Sequence, residues 1–238
     1  MKAKYQMRAN HLDSSLININ KDEVLRYLQY KSKDVDQGTQ RLLEESISEI
    51  KELSELRYVY RIFNLDKDGT SINLENEILI ESKDLTKLLK DSDKVAVLAS
   101  TLGLAVENRI RYYSKSNLSK AVIFDSCATA CIEALCDYVE EEIKGIAKED
   151  NCGITFRYSP GYGDVPISHQ KDILRSLDAA RLIGLTASDT SILLPRKSVT
   201  AFIGFDKSNK VKSFANSCQT CSISMTCSFS KKGGKCGK

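Results

Sequence analysis

Apolar residues fall at two spacings along this chain, every third or fourth position in long stretches with a charged opposite face and every second position in shorter ones. The sequence therefore predicts a mixture of helices and strands. Residues 15–20 alternate as a short strand, and DEVLRYLQY at 22–30 has helical spacing behind an acidic start. A longer amphipathic helix is predicted over 37–56, where Leu42, Ile47, Ile50, Leu53 and Leu56 oppose a Glu/Lys face, making the first part, about 1–56, rich in helix. From 57 to 82 the texture changes to strands: RYVYRIFNL and INLENEILIE alternate, and Asp66-Lys67-Asp68-Gly69 between them predicts the turn of one hairpin.

A helix over 83–90, a buried strand over 94–100 and a helix over 104–113 come next, the start of an alternation of strand and helix. Residues 117–148 carry the longest helical pattern, with at most one break, and end near the acidic run Glu140-Glu141-Glu142, which reads as a solvated face. A strand at 154–158, a loop at 159–166, a helix from about 168 to 183 and two strands, near 191–194 and 198–205, complete the pattern. The expected class is α+β: a mixed, largely antiparallel sheet with long helices in a single main domain, 1–206, followed by a small Cys-rich appendage at 207–238. No internal repeat is visible.

Composition sets bounds without naming a function. The 238 residues, 42% hydrophobic and 28% charged, are ordinary for a globular protein with a sizeable core. No apolar run approaches the roughly 20 residues needed to span a bilayer, and the N-terminus is polar, so a cytoplasmic location is expected. The net charge of +3 is too small to indicate nucleic acid, although 207–238 holds seven lysines and no acid and so offers a basic surface.

Eight cysteines without a signal peptide argue against a disulfide framework. Four of them, Cys218, Cys221, Cys227 and Cys236, have the spacing C-x2-C-x5-C-x8-C, which fits a tetrahedral zinc site or an iron–sulfur cluster, since both take four thiolates and tolerate irregular backbone. Cys127 and Cys131 share a helix face with Cys136 close by, a pattern expected of packed core thiols, and Cys152 follows.

Two motifs point to chemistry and do not hold. Asn64-x-Asp66-x-Asp68-Gly69 with Glu75 approaches a calcium loop, but the first position is Asn, Ser71 stands where an aliphatic residue is needed, and both flanks read as strand, so a plain hairpin turn is predicted. Gly161-Tyr162-Gly163 lacks the third glycine of a dinucleotide fingerprint and does not open directly into a helix. With only His11 and His169 and no G-x-S-x-G context, hydrolytic triad chemistry is not expected, and no catalytic acid, base or nucleophile is assigned.

The block Arg157-Tyr158-Ser159-Pro160-Gly161-Tyr162-Gly163-Asp164 is unusual in joining a cation and two aromatics to a Pro/Gly turn with exposed backbone groups. Arg157 can pair with a carboxylate, Tyr162 can cover an apolar or cationic surface, and the turn's amides and carbonyls can read a polar ring edge. Arg157 in a local salt bridge is the structural alternative.

This loop resembles the R-x-x-P-G-Y loop of the activation (reactivation) domain of cobalamin-dependent methionine synthase. Downstream, Ile183-Gly184, Ser188-Asp189-Thr190 and Leu194-Pro195-Arg196-Lys197-Ser198-Val199 resemble that family's successive elements in the same order, and Cys131-Ile132-Glu133-Ala134-Leu135-Cys136-Asp137-Tyr138 resembles its helix with a ligand-contacting glutamate. The resemblance covers roughly 121–205. It implies that Glu133, Arg157, Ser159, Pro160, Gly161 and Tyr162 contact S-adenosylmethionine. A further family acid near the N-terminal end is not carried over, because Gln29 stands where a crude alignment places it.

The resemblance further implies reductive methylation of cob(II)alamin. The chain lacks D-x-H-x-x-G and is too short to include methyltransferase modules, so the cobalamin is expected on a separate methionine synthase or other corrinoid protein, with a donor such as flavodoxin or ferredoxin supplying the electron. The tail's cysteines then either pass that electron as a cluster or fold a partner-binding segment around zinc. A ligand-binding adaptor without chemistry is the alternative, and a metal-stapled nucleic-acid binder a more distant one.

Overall fold

The computed structural model describes residues 7–30 and 35–208. In chain order the elements are β1 (Arg8–Leu12), α1 (Lys21–Tyr27), α2 (Gln37–Leu53), β2 (Leu56–Asp68), β3 (Ser71–Leu74), β4 (Ile78–Glu81), α3 (Lys83–Leu88), β5 (Ser92–Thr101), α4 (Leu104–Ser116), α5 (Leu118–Glu149), β6 (Gly153–Ile154), α6 (Gln170–Ser176), α7 (Ala179–Ile183), β7 (Thr186–Ala187), β8 (Leu193–Leu194) and β9 (Ser198–Asp206). Among the described residues no helix is long and apolar enough to cross a membrane.

One sheet of seven strands runs in the order β4-β3-β2-β5-β9-β6, with β1 also on β2 and every ladder antiparallel. The period of two decides which face each side chain joins. Tyr58, Tyr60 and Ile62 of β2, Ala96 and Leu98 of β5, and Ala201, Ile203 and Phe205 of β9 pack with α1, α2, α4 and α5. The alternate residues Val59, Phe63, Val95, Val97, Ala99 and Phe202 pack with α3, α6 and α7. Both faces are covered, which is why the central strands read as nearly continuous apolar runs.

The α+β class with an antiparallel sheet and long helices holds, and several boundaries differ from the pattern. Residues 15–20 form no strand: a short 3-10 turn occupies Ser14–Leu16, capped by Asp13, and the strand of this helix-rich first part is instead the exposed Arg8–Leu12, paired with β2. Helix α1 stops at Tyr27, with Gln29 at φ 62° just beyond it, and α2 stops at Leu53 because Leu56 already belongs to β2. The expected single hairpin is a three-stranded meander. β2 continues through Asp66 and Asp68, the first turn lies at Gly69, and a second is made by Glu75 and Asn76 with φ of 53° and 61°. Helix 168–183 is split by Asp178 in the left-handed region (φ 46°), and the strand at 154–158 survives as two residues of β6 plus a single bridge from Tyr158 to Phe202.

Helix α5 runs unbroken for 32 residues. Cys127, Cys131 and Cys136 are buried along it and free, as packing predicts. Among the described residues no group of His, Cys, Asp and Glu is placed to hold a metal, and the four tail cysteines, with the proposed 207–238 appendage past Ser208, lie outside those residues. The acidic run at 140–142 is not a solvated face. Only Glu141 is open to solvent; Glu140 accepts from Arg157, and Glu142 accepts from the Tyr58 and Tyr60 hydroxyls at 2.7 and 2.8 Å.

Two predictions follow from this packing. Burial pushes the thiols of Cys127, Cys131 and Cys136 up to about 12. At pH 8 in native buffer iodoacetamide should label half-buried Cys152 before any of the three, and all four together after unfolding in urea, as read by peptide mass spectrometry. Replacing Glu142 by Ala strips the acceptor from two buried phenols; urea denaturation should register a loss of about 2–3 kcal/mol, whereas Glu141→Ala should fall within about 0.5 kcal/mol of the parent.

Candidate functional site

The loop that leaves β6 is fixed from three sides. Thr155 and Tyr158 form backbone hydrogen bonds to Gly204 and Phe202 of β9, so the chain is held against the sheet edge. Gly161 N–H donates to Val165 O at 2.9 Å and Val165 N–H to Tyr162 O at 3.1 Å, closing the turn. Asp164 reaches the other helical layer: its carboxylate accepts from the Ser82 hydroxyl, from Lys83 N–H at 2.8 Å and from Asp84 N–H at 3.3 Å, while Ser82 Oγ accepts Leu85 N–H as the cap of α3. An anionic group on unpaired first-turn amides is a favourable arrangement, so Asp164 docks the loop onto α3.

Two glycines make the turn possible. Gly161 (φ 95°) and Gly163 (φ 50°) lie in the region L residues avoid. A Cβ on Gly163 would also collide with the Tyr158 hydroxyl and the Asp84 carboxylate. Between them Tyr162 is 46% exposed, its ring edge-on to Tyr158 at 6.5 Å, while Pro160 is buried and Ser159 half-buried.

At the start of the loop Arg157 points onto α5. Nη1 donates to Asp137 and Glu140, each at 2.8 Å, and Nη2 to Glu133 at 3.2 Å. The three acids stand at helical spacings of four and three, so one face of α5 grips one guanidinium. Burial acts to lower the Arg157 pKa, and the charges around it, Glu140 and Asp137 among them, outweigh that and raise it, so the cation persists. Burial likewise pushes the Glu140 carboxyl up, with Arg157 opposing. The ionised pair is the state this geometry favours.

The same helix edge continues toward its N-terminus. Lys197, just before β9, donates to Thr129 at 2.8 Å and pairs with Asp125 at 2.9 Å, one and two turns before Glu133. Ahead of it Leu194-Pro195 is a cis peptide, and the buried Glu107 carboxylate accepts Arg196 N–H at 2.8 Å. Gly184 (φ 68°) ends α7, and Ser188-Asp189-Thr190 makes the β7–β8 turn, with the Ser188 and Thr190 hydroxyls 3.0 Å apart and Asp189 fully exposed.

Of the sequence-predicted ligand contacts, Glu133 and Arg157 are thus brought together, and Ser159, Pro160, Gly161 and Tyr162 follow in the same pinned turn. What the residues alone did not single out are Asp137 and Glu140 as joint partners of Arg157, and Asp164 as the tie to α3. Tyr27 of α1 is a further neighbour: its hydroxyl is pushed up to about 12, first by burial and then by the charge of Glu133. The i, i+4, i+7 spacing of the three acids was visible in the sequence; their common partner 17 to 24 residues away was not.

No family model matches this chain, and no curated protein matches it by sequence. A solved structure does match: the crystal structure of the MetH reactivation domain bound to AdoHcy, at a TM-score of 0.68 and 14% identity, covering 87% of this chain and 80% of that one. The chain has the fold of that domain.

The turn's dependence on Gly163 can be measured. Gly163→Ala should cost about 1–3 kcal/mol in urea denaturation, from positive-φ strain and the two displaced groups. Gly145→Ala, on α5 with nothing within 4 Å of its new Cβ, should be neutral or stabilising by up to about 1 kcal/mol.

Proposed function

We propose that this chain binds S-adenosylmethionine at the edge of α5 beside the 157–163 turn and offers it to the reduced corrinoid of a separate protein. The observation that carries the proposal is the opposed pair at that edge: a guanidinium suited to an α-carboxylate, and the Glu133 carboxylate 3.2 Å from it suited to the adjacent α-ammonium. We assign Tyr162, 46% exposed in the turn that Arg157 begins, to cover the adenosyl or sulfonium part, and the likeness to a reactivation domain solved with AdoHcy supports an adenosyl ligand.

The donor set fits such a ligand, and the chain's own tasks are modest. The bound sulfonium supplies an electrophilic methyl group and the partner's corrinoid, after taking one electron from an external flavodoxin- or ferredoxin-type donor, supplies the nucleophile. Arg157 and Glu133 orient the methionyl end, the pinned turn holds the ring end, and both layers of the fold keep the site from moving when a partner docks. No proton transfer by the protein is needed, consistent with a site of ion pairs and an aromatic in place of a general acid or base. We assign the four tail cysteines to a metal, iron–sulfur or zinc, which absorption and metal analysis of an anaerobic preparation would identify.

Isothermal titration of the full chain with S-adenosylmethionine should show binding at one site. Tyr162→Ala should weaken it about ten-fold without moving the urea midpoint, because the ring is largely outside the core. Methyl-labelled S-adenosylmethionine, a reductant and a corrinoid protein should then yield labelled methylcorrinoid only when the chain is present. Binding without transfer would assign the chain as an adaptor, and absence of binding would remove the proposal.

A further inference from the structure

The basic stretch past Ser208 leaves the fold at a fixed point. Lys207 N–H donates to Asp91 O at 3.0 Å and Asp206 pairs with Gly153 of β6, so the root of the tail is held at the sheet edge. Asp206 lies four positions past Phe202, the residue bridged to Tyr158, and so about 13 Å along an extended strand from the start of the pinned turn. Beyond Ser208 the sequence holds six lysines and no acid, three of them in Lys231-Lys232-Gly233-Gly234-Lys235 beside Cys236. Cys218, the first of the four tail cysteines, is ten positions beyond Ser208, a reach of up to about 33 Å. Whatever the four cysteines hold, the lysines among them can be carried to the turn and to the edge of α5 beside it.

That edge has a surplus of negative charge. Over Glu133, Asp137, Glu140 and Glu141, four carboxylates meet two cations, Arg157 and Lys144. Asp137 is 53% exposed at its side chain and Glu141 68%, so both have room for a second partner. Other acidic stretches are better matched. On α2, Glu44, Glu45 and Glu49 each have a cation, Lys21, Arg41 and Arg109, and in the meander Glu75 and Glu77 share Arg61. The largest surplus therefore lies on one side of one helix, within reach of the tail's root. The ammonium of a lysine is also the group that Glu133 is proposed to receive from the ligand.

We infer that the 231–235 segment of the tail docks on the acidic edge of α5 and occupies the ligand's ammonium position until S-adenosylmethionine displaces it. Each exposed ion pair in such a contact is weak, but the tether makes the contact intramolecular and keeps the lysines at high effective concentration beside their acids. Loading the site frees the basic tail, so a partner meets a filled site and a released tail together. The docking stands without the adenosyl reading; the displacement rests on it.

Zero-length carbodiimide coupling of the full chain at low salt, read by peptide mass spectrometry, should join Lys231, Lys232 or Lys235 to Glu133, Asp137 or Glu141 within one chain. The yield should fall about three-fold or more in 0.5 M salt, where the screening length is about 4 Å. The triple variant Lys231→Gln, Lys232→Gln, Lys235→Gln should bind S-adenosylmethionine about three-fold tighter than the wild type in isothermal titration at low salt, because a site open about one-third of the time shows that fraction of its intrinsic affinity. In 0.5 M salt the two proteins should bind alike. Coupling to the meander acids in place of α5, coupling only between chains, as a second copy on this edge would give, or no coupling at all overturns the docking. Equal affinity of the two proteins at low salt overturns the displacement. Coupling to α5 within one chain, with no binding of S-adenosylmethionine by either protein, leaves the docking standing and removes the adenosyl site and the displacement with it.

Discussion

Arg157 ties the loop after β6 to helix α5. Its guanidinium is four-fifths buried at the side chain and meets three carboxylates of α5, and removing a charge of this kind from water is worthwhile only when its hydrogen-bonding capacity is met. The turn that follows depends on that contact. From Arg157 on α5 the chain passes Tyr158 bridged to β9 and ends with Asp164 on the first turn of α3. Because α5 covers one face of the sheet and α3 the other, eight residues wrap the sheet edge and are tied to both layers and to the strand between them. A segment so pinned pays little ordering entropy when a ligand arrives.

The 32-residue helix supplies what such a loop needs to lean on. Its inner face is filled by Phe124, Cys127, Ala128, Cys131, Leu135, Val139 and Ile143, and its outer edge carries Asp125, Thr129, Glu133, Asp137 and Glu140, each near one side of the helix. Lys197 and Arg157, from the two ends of the segment between β6 and β9, both land on that edge. One rigid element thereby sets the distance between the two parts of the chain in which the family-like motifs occur.

Much of this was legible in sequence, for identifiable reasons. α5 and β5 were readable because their apolar positions repeat at a single period and tertiary context agrees with it. The pinned turn stood out because Pro and two glycines in four residues are rarely without a backbone reason. Elements that depend on something other than hydrophobic period escaped: β1 is an exposed edge strand with no apolar alternation, and the turns at Glu75-Asn76 and Asp178 place ordinary L residues at positive φ where glycine would have signalled them. The acidic run was misread for a related reason. Glu140 and Glu142 look solvated in isolation, and their partners Arg157, Tyr58 and Tyr60 lie 17, 84 and 82 positions away, a separation no local pattern reports. The motifs name Arg157 and Glu133 in the sequence, whereas Asp137 and Glu140 join them only through the fold.

Hydrogen–deuterium exchange of the full chain with and without saturating S-adenosylmethionine tests the central claim, that the Arg157 turn and the acidic edge of α5 form one ligand site. Slowed exchange should be concentrated in the 157–164 turn, with a smaller effect on α5 around Glu133 to Glu140, and little change in the β2–β4 meander. Protection confined to other elements, or none under conditions where the ligand is in large excess, would contradict it.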